Sequence, residues 1–459
     1  MKKSISFIYL LFLVLTLSCS KNDVEFEEAA IDNPFDKENA LNTNAQRSMG
    51  SGVMMQAFYW DVPDGGTWWN TVSTKVADWS NAGIDAIWLP PASKAQNGPF
   101  SMGYDPFDYY DFGNYNQMGS TETRFGSLTE LQNLITTAHN SNVSVIADIV
   151  INHNSGGGSE ANPFTGGNTW TDFQPASGNF LRSSYDFHPN DYHSNDYGAF
   201  GGFPDLCHHK SYVQDWLWNN SNSVAKYYKN TIGFDGWRFD YVKGFEPWVV
   251  NSWVNAVGGF AVGEYWDSNV STLDWWTSQA NASAFDFACY YAMRDAFSNN
   301  DLNNLNNNML WKVNGSKAVT FVANHDTDEI FNNKILAYAY ILTHEGYPTI
   351  FYRDYEEWLD KNKLNNLIWI HNNLASGSTD ILHVDNDEYI AKRNGYNSSG
   401  LIVYINNSDS WLERWVPTNW SNTVIKDYTG NSSWEPTTQS GTWVKIQAPP
   451  HGYTVWSTK

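Results

Sequence analysis

Residues 233–240, Gly-Phe-Asp-Gly-Trp-Arg-Phe-Asp, form a short, largely apolar run that ends in a carboxylate. Seven further runs of similar character lie at residues 52–60, 86–90, 143–153, 260–266, 283–287, 318–326 and 348–354. Amphipathic stretches with helical spacing separate most of them, as at 68–82, 128–140, 212–230 and 330–343. Apolar strands that alternate with helices predict a parallel sheet covered on both faces. Eight such units predict an α/β fold of the (β/α)8 TIM-barrel type.

Two regions depart from the repeat and predict additional domains. Residues 152–211 are too many for an ordinary connection between a strand and a helix, and they are rich in Gly, Asn, Asp, His and aromatic residues. We predict an inserted irregular subdomain here, after strand 3. The barrel itself is predicted to comprise residues 50–151 and 212–380. After residue 380, short apolar segments alternate with Gly, Asn and Pro turns. Residues 381–459 are therefore expected to form an antiparallel β-sandwich domain.

The composition limits the kind of partner. The 459 residues include 27 Lys and Arg against 49 Asp and Glu, which gives a formal net charge of −22. An acidic excess of this size argues against nucleic acid, because phosphates would be repelled. Aromatic residues make up 16% of the chain. They suit a surface for neutral polar ligands such as sugars, but equally a well-packed core.

The N-terminus is typical of an export signal. Lys2 and Lys3 precede an apolar stretch at 5–17, which is too short to cross a bilayer and has the length of a signal-peptide core. Residues 1–19 are predicted to be a signal peptide with a lipobox-like Cys19, and the polar, acidic residues 20–49 a tether. We expect an exported cell-envelope lipoprotein that meets the membrane only through this lipid anchor. Plain secretion is the alternative.

Polar side chains follow the predicted strands where a barrel places its active site, at the C-terminal strand ends. These ends carry Asn152, His153, Arg238, Asp240, Glu264, His325, Asp326 and Asp354. Any one of them could be a helix cap or a solvated loop charge. Several carboxylates that converge with one guanidinium and two imidazoles exceed what stability requires, so the set predicts a catalytic cup.

The spacing of these residues suggests a division of roles. Arg238 and Asp240 are two residues apart on a strand and should share a face, and a guanidinium favours the ionised carboxylate that a nucleophile needs. Glu264, among aromatic neighbours, should be desolvated and have a raised pKa, as a general acid requires. One charged and one protonated carboxyl group are the pair used by a retaining glycosidase. Asp326 would be a third carboxylate that stabilises positive charge on the sugar.

Four ordered segments carry a family resemblance. They are Asp148-Ile-Val-Ile-Asn-His153, Gly236-Trp-Arg-Phe-Asp-Tyr-Val-Lys243, Gly263-Glu-Tyr-Trp266 and Phe321-Val-Ala-Asn-His-Asp326. Each resembles one of the signature regions of the α-amylase family, glycoside hydrolase family 13, and each ends a predicted strand. The stretches at 52–60 and 103–108 also match. The resemblance covers residues 50–459 and is closest to the archaeal-type α-amylases.

The resemblance implies a role for each matching residue. Asp240 would be the nucleophile, Glu264 the general acid/base and Asp326 the transition-state stabiliser. Arg238 would keep Asp240 ionised. The remaining substrate contacts implied are Tyr104 beneath the sugar ring, His153 and His325 on its hydroxyls, and Lys243 and Trp266 on the leaving-group side. For Tyr104 and Trp266, core packing is the competing interpretation.

Two metal sites are expected in the inserted subdomain. Carboxylate, amide and carbonyl oxygens suit Ca²⁺, and the resemblance implies a calcium site at Asn152, Asp196, Gly198, Asp205 and Gly244. An acidic turn without metal is the alternative. His188, His193 and Cys207 offer ligands that suit zinc, which some archaeal-type enzymes hold at matching positions. Here the alternatives are a buried free thiol with surface histidines, or a disulfide to Cys289.

The resulting hypothesis is a monomeric, retaining, endo-acting α-amylase that hydrolyses internal α-1,4 bonds of starch and malto-oligosaccharides. Three alternatives stay open: an α-glucan transglycosylase or branching enzyme, a non-catalytic glucan-binding envelope lipoprotein, and a zinc-dependent hydrolase. The C-terminal domain also contains six tryptophans, at 411, 415, 420, 434, 443 and 456. Most are expected in its core, although exposed ones could stack on glucan chains.

Overall fold

The predicted barrel is confirmed by a computed structural model of the protein, which describes residues 52–193, 199–327, 329–330, 332–396 and 398–459. Its strands are β1 (Met54–Gln56), β2 (Ala86–Trp88), β3 (Ser144–Ile149), β4 (Gly236–Phe239), β5 (Phe260–Gly263), β6 (Ser283–Phe285), β7 (Ala318–Phe321) and β8 (Tyr347–Phe351). Each strand pairs in parallel with the next along the chain. Strand β8 pairs with β1, where Thr349 lies opposite Met54, and this pairing closes the barrel.

The helices that cover the barrel follow the predicted stretches, with interruptions. The α-helices are Trp68–Ser73, Val76–Ala82, Leu128–Asn140, Ser211–Gln214, Val224–Tyr227, Pro247–Val257, Val270–Ala280, Phe287–Ser298, Leu310–Asn314, Lys334–Ile341 and Lys361–Leu374. Short 3₁₀ turns occur at Gly98–Phe100, Val242–Gly244, Leu302–Asn306 and Gly315–Lys317, and π-helical turns at Asp215–Asn219, Tyr228–Ile232 and Asp354–Trp358. The Leu128–Asn140 helix begins with a capping box, because Ser127 and Glu130 each accept a hydrogen bond from the other's backbone N–H.

The insertion after β3 contains two small antiparallel pairs. Gly158–Asn162 pairs with Gly167–Asp172, and Phe187–His188 pairs with Asp205–Leu206. A third short pair, Lys94–Ala95 with Pro106–Asp108, follows β2. Leu206 N donates a 2.9 Å hydrogen bond to the carbonyl of Asn152, so the insertion returns to the C-terminal end of β3.

The C-terminal domain is an antiparallel β structure, as predicted. Its strands are β9 (Thr379–Val384), β10 (Glu388–Arg393), β11 (Leu401–Asn406), β12 (Leu412–Pro417), β13 (Ile425–Asp427), β14 (Trp443–Ala448) and β15 (Gly452–Thr458). Five of them form a sheet in the order β9-β10-β11-β15-β13, and β12 pairs with β14. Ile390 and Ile402 of the larger sheet form one apolar core with Val416 and Val444 of the smaller pair.

The structure bears in different ways on the predictions for the N-terminus, the cysteines and the membrane. The signal peptide 1–19, its Cys19 and the tether 20–49 lie outside the described residues. Cys207 and Cys289 are both buried free thiols, so the alternative of a disulfide between them is wrong. Among the described residues, no helix combines the length and apolar character needed to cross a bilayer.

Candidate active site at the C-terminal ends of the strands

Arg238 of β4 is the centre of the charged cluster. Its Nη1 atom lies 2.9 Å from Oδ1 of Asp148 and 2.9 Å from Oδ1 of Asp240. Its Nη2 atom lies 2.7 Å from Oε1 of Glu264. The Arg238 side chain is only 1% exposed, so this one buried guanidinium holds three carboxyl groups together. The side chains of Arg238 and Asp240 therefore meet, as expected for two residues on the same face of a strand.

Asp148 is a member of the cluster to which the sequence analysis gave no role. It lies opposite Arg238 in the register between β3 and β4, which brings the two side chains together inside the barrel. Its Oδ2 atom accepts hydrogen bonds from Trp88 Nε1 at 3.1 Å and from the Tyr104 hydroxyl at 2.8 Å. Burial raises the pKa of Asp148 to about 6, Arg238 opposes the rise, and Asp240 adds to it.

Glu264 follows β5 and is 7% exposed. The glycine before it is required by packing, since a Cβ at Gly263 would lie 2.1 Å from the ring of Trp276. Burial raises the pKa of Glu264 to about 8, against the lowering effect of Arg238, and the other carboxylates of the cluster add to the rise. Tyr241 N donates a 3.3 Å hydrogen bond to Oε2 of Glu264. A carboxyl group that keeps its proton near neutral pH can act as a general acid.

Asp326 lies beyond β7 and is the most open of the carboxylates, with a side chain that is 38% exposed. His325 Nε2 lies 3.0 Å from its Oδ2, while Gln56 Nε2 lies 2.8 Å from His325 Nδ1. Gln56 thus donates to Nδ1 and leaves the proton of the imidazole on Nε2, toward Asp326. Partial burial acts to raise the pKa of Asp326, but the His325 contact outweighs it and lowers that pKa.

Aromatic rings form one wall of the cup. The ring of Tyr104 stacks on His325 with centroids 5.3 Å apart, and Trp60 stacks on Tyr104 at 5.9 Å. Trp60 is 48% exposed, so its indole faces solvent at this wall. Gly103 has a φ of +95° and makes the turn before Tyr104, where a Cβ would lie 2.2 Å from the carbonyl oxygen of Pro91. The sequence analysis missed Trp60, which it placed inside the first strand run.

His153 lies next to this wall and is buried. Its Nε2 atom lies 3.0 Å from the backbone oxygen of Tyr104, to which the ring therefore donates. Phe200 and Phe203 of the insertion stack on the imidazole, with centroids 4.7 Å and 5.3 Å away. Burial lowers the pKa of His153, which favours the neutral ring. His153 therefore lies beside Tyr104. Its contact with Phe200 and Phe203 of the insertion was not predicted from the sequence.

Lys243 and Trp266 lie on the chain just after the two central carboxylates. Lys243 Nζ is 3.3 Å from Asp267 Oδ2 and 5.3 Å from the ring centroid of Tyr265. Trp266 is partly buried: it stacks on Phe287 at 4.8 Å and donates a 2.7 Å hydrogen bond to the hydroxyl of Tyr291. The Trp266 side chain therefore packs against the core, which is the competing interpretation, while part of it stays accessible to solvent.

The described residues of the expected calcium site converge. A Cβ on Gly244 would lie 1.9 Å from Oδ1 of Asn152, so these two residues are in close contact and only glycine fits. Asp205 forms an isolated bridge with His153, the neighbour of Asn152. An amide oxygen, a carboxylate and a nearby main chain are donors that fit Ca²⁺. Asp196 and Gly198, also expected as ligands, lie outside the described residues.

The expected zinc residues are also close together. The rings of His188 and His193 stack with centroids 5.6 Å apart. Burial acts to raise the pKa of the Cys207 thiol, but hydrogen bonds with His188 and Asn190 help to outweigh it, and the pKa is lowered. His188 Nδ1 lies 2.8 Å from Asp205 Oδ2, which links this cluster to a residue of the expected calcium site. Imidazole and thiol groups are ligand types that suit zinc, but in the described residues the ligand atoms of His188, His193 and Cys207 do not all lie within 4.8 Å of one another.

Two other carboxylates near the strand ends have structural contacts. Asp354 contacts the ammonium group of Lys334 and accepts a 2.6 Å hydrogen bond from the Tyr338 hydroxyl. Asp286 caps the helix after β6, where it accepts hydrogen bonds from Cys289 N and Trp311 N, both at 2.9 Å. These ion-pair and hydrogen-bond contacts satisfy the buried carboxyl groups of Asp354 and Asp286, so neither residue is assigned to the cup.

Comparison with known proteins identifies a family match and relatives of this chain. A family described as α-amylase C-terminal matches residues 401–457. A glucan 1,4-α-maltohexaosidase from Bacillus sp. (strain 707) is 30% identical in an alignment of 380 positions, which spans 69% of this chain and 73% of the relative. An α-amylase from Geobacillus stearothermophilus is 29% identical in an alignment of 482 positions, which spans 88% of this chain and 87% of the relative.

A solved structure shows the same fold. The α-amylase from Geobacillus thermoleovorans, crystallised with acarbose, superimposes with a TM-score of 0.70 at 19% identity, covering 89% of this chain and 98% of that one. The relatives named α-amylase and maltohexaosidase support the assignment of the chain to the glycoside hydrolases. The chain belongs to the α-amylase family, glycoside hydrolase family 13. The resemblance to its archaeal-type members stays a prediction.

Proposed function

We propose that the protein is a retaining, endo-acting α-amylase, which hydrolyses internal α-1,4-glucosidic bonds of starch and malto-oligosaccharides. The carrying observation is that Asp240 and Glu264 bind the two terminal nitrogens of one buried guanidinium, while the pKa of Glu264 is about 8. Contact of both carboxyl groups with the same guanidinium supports the short separation that a retaining enzyme requires. They also differ in environment as a nucleophile and an acid must.

The reaction would proceed in two displacements. In the first, a carboxylate oxygen of Asp240 attacks the anomeric carbon, and the bond from that carbon to the bridging oxygen breaks. Glu264 gives its proton to the departing oxygen, and a glycosyl ester forms on Asp240. In the second, Glu264, now ionised, takes a proton from water, and the water oxygen displaces Asp240 with net retention.

The other residues of the cup would bind and orient the sugar. Asp326, whose pKa is lowered, would be ionised and stabilise the positive charge that develops on the ring. Tyr104, with Trp60 beside it, would stack on the sugar in the cleavage subsite. His153 and His325 would bind its hydroxyls, and Lys243 and Trp266 would contact sugars on the leaving-group side. Arg238 would hold the Asp240 carboxyl group in position through its 2.9 Å contact.

We further propose that Asn152, Asp205 and Gly244, with Asp196 and Gly198, hold a calcium ion. The ion would supply a positive charge that fixes the insertion against the barrel, away from the bond being broken. His188, His193 and Cys207 are proposed to hold zinc in a structural role. Elemental analysis of the purified protein tests both assignments. A Cys207→Ser variant that retains a full equivalent of zinc would contradict the second one.

The alternatives have less support. A non-catalytic glucan-binding lipoprotein would have no need for three carboxyl groups bound to one guanidinium, with one of them protonated at neutral pH. A zinc-dependent hydrolase would leave that cluster idle. A transglycosylase or branching enzyme would use the same two displacements with a sugar as the acceptor, so only product analysis separates it. Export, lipid anchoring at Cys19 and a monomeric state belong to the same proposal.

The decisive experiment measures reducing-end release from soluble starch together with iodine staining. Wild type should destroy staining while few reducing ends have appeared, because internal cleavage shortens long chains first. Glu264→Gln should abolish both signals while remaining folded, and Glu435→Gln, a surface ion-pair variant, should behave as wild type. Loss of staining without new reducing ends would indicate glucan transfer. An active Glu264→Gln enzyme would overturn the assignment of the acid/base.

A further inference from the structure

The outer face of the β12–β14 pair in the C-terminal domain carries exposed indoles. Trp415 of β12 is 51% exposed and Trp443 of β14 is 46% exposed. Val416 and Val444, the next residues along each strand, are buried in the domain core. Successive side chains of a strand point to opposite faces. Since the two valines point into the core, both indoles project from the opposite, outer face.

The register places the two indoles beside each other. Trp415 lies opposite Lys445, and Pro417 lies opposite Trp443. Trp415 and Trp443 are therefore diagonal neighbours on one face, a relationship with a Cβ separation of about 7 Å. Trp411, one residue before β12, is also exposed, at 50%. The result is one face of the strand pair, and its approach, with three exposed indoles.

The charges on this face cancel. Lys445 and Glu413, which flank Trp415 on the same side of the pair, form an ion pair with each other. The chain as a whole has a net charge of −22. An uncharged aromatic patch on so acidic a protein does not suit an ionic partner, and an exposed apolar surface rimmed by polar groups marks an interaction site. An uncharged ligand with both apolar and hydroxyl-bearing faces meets these conditions.

We infer that Trp415 and Trp443 form a second carbohydrate-binding surface that takes a segment of an α-glucan chain. The C–H faces of successive sugar rings would stack on the two indoles, and the indole N–H groups would donate to sugar hydroxyls. The inference rests on the proposed function, because a polymeric substrate can be held on one domain while another segment is cleaved on a different one. Such a surface raises the local concentration of substrate without taking part in the chemistry.

The test uses the Glu264→Gln protein, so that the glucan is not consumed, and measures its retardation by amylose in native gels. Replacing Trp415 and Trp443 together by Ala should weaken retention about tenfold, as expected from the loss of aromatic stacking. Tyr at both positions should preserve most of it. The matched control is Trp275→Ala, which removes a 51% exposed indole from the barrel helix Val270–Ala280 and should change nothing.

Companion measurements separate this site from the active site. In the active enzyme, the double Ala variant should cleave a short aryl malto-oligoside like wild type, but hydrolyse insoluble starch several-fold more slowly. Undiminished amylose retention in the folded double variant would overturn the surface site alone. Dissociation of a dimer without loss of glucan retention would assign the face to a contact between copies, which also overturns it. A wild type inactive on every glucan would overturn the proposed function, and this inference with it.

Discussion

Nη2 of Arg238 lies 2.7 Å from Oε1 of Glu264, yet the pKa of Glu264 is about 8. A guanidinium this close normally favours the ionised carboxylate. Here burial outweighs that effect, and three further carboxylates near the same site add to the rise. A single arginine therefore keeps the cluster together without removing the proton from the group that has to donate it.

The pH dependence of kcat/KM follows from this balance. Activity requires Glu264 to be protonated, so kcat/KM should fall above a pH of about 8. Asp148→Asn removes a negative charge that raises the pKa of Glu264, and the alkaline limb should move to lower pH by roughly half a unit to one unit. Asp409→Asn, at a highly exposed carboxylate, should leave the profile unchanged. An upward shift in Asp148→Asn would contradict this account of the cluster.

Glu264→Gln should lower kcat on starch by about 10³-fold or more, because the departing oxygen then has no proton donor. A glycosyl fluoride, whose leaving group needs little protonation, should still form the glycosyl ester. Added azide should restore turnover of that substrate, since it needs no base to attack the ester. The rates are measured by fluoride release. Equal losses on both substrates would argue against Glu264 as the acid.

The same substitution should change stability in a pH-dependent way. Between its ordinary pKa of 4.5 and about 8, Glu264 is ionised in the unfolded chain but protonated in the folded one. The free energy of unfolding therefore falls as pH rises through this window. Gln cannot ionise, so Glu264→Gln should raise Tm by roughly 2–4 °C at pH 8 and by less at pH 5. A difference in Tm that does not depend on pH would contradict the raised pKa.

The hydroxyl and the ring of Tyr104 have different expected roles, and two variants of this residue test them separately. Tyr104→Phe loses the 2.8 Å hydrogen bond to Asp148 but keeps the stacking surface, so KM for maltoheptaose should change little. Tyr104→Ala also removes the ring, and KM should rise about tenfold through the lost stacking. Steady-state kinetics on one substrate settle the comparison. Equal KM values in the two variants would exclude the stacking role.

The calcium proposal predicts an effect at Gly244. A Cβ there would meet Asn152 Oδ1 at 1.9 Å, so Gly244→Ala should displace the amide oxygen and weaken calcium binding. The stabilisation of wild type by added Ca²⁺, measured as the shift in Tm after treatment with a chelator, should be largely lost in this variant. Gly167→Ala, where a Cβ meets nothing within 4 Å, is the matched control. A full calcium response in Gly244→Ala would contradict the site.

Much of this arrangement follows from sequence pattern, and the exceptions have physical causes. The apolar runs place all eight strands, because buried parallel strands are continuous in hydrophobicity. They do not define strand ends: run 52–60 contains only three strand residues, Met54–Gln56, so Trp60 lies in the loop and on the wall of the cup. Asp148 was missed because its contact with Arg238 depends on the register between two strands distant in sequence.

The most direct test of the two-displacement account is the anomeric configuration of the first product. Proton NMR of wild type acting on maltoheptaose, recorded before mutarotation, observes that product as it forms. If Asp240 forms a glycosyl ester that water then displaces, the newly released reducing end should appear as the α-anomer and only later equilibrate. Initial appearance of the β-anomer would mean direct attack by water, and it would contradict the assignment of Asp240 as the nucleophile.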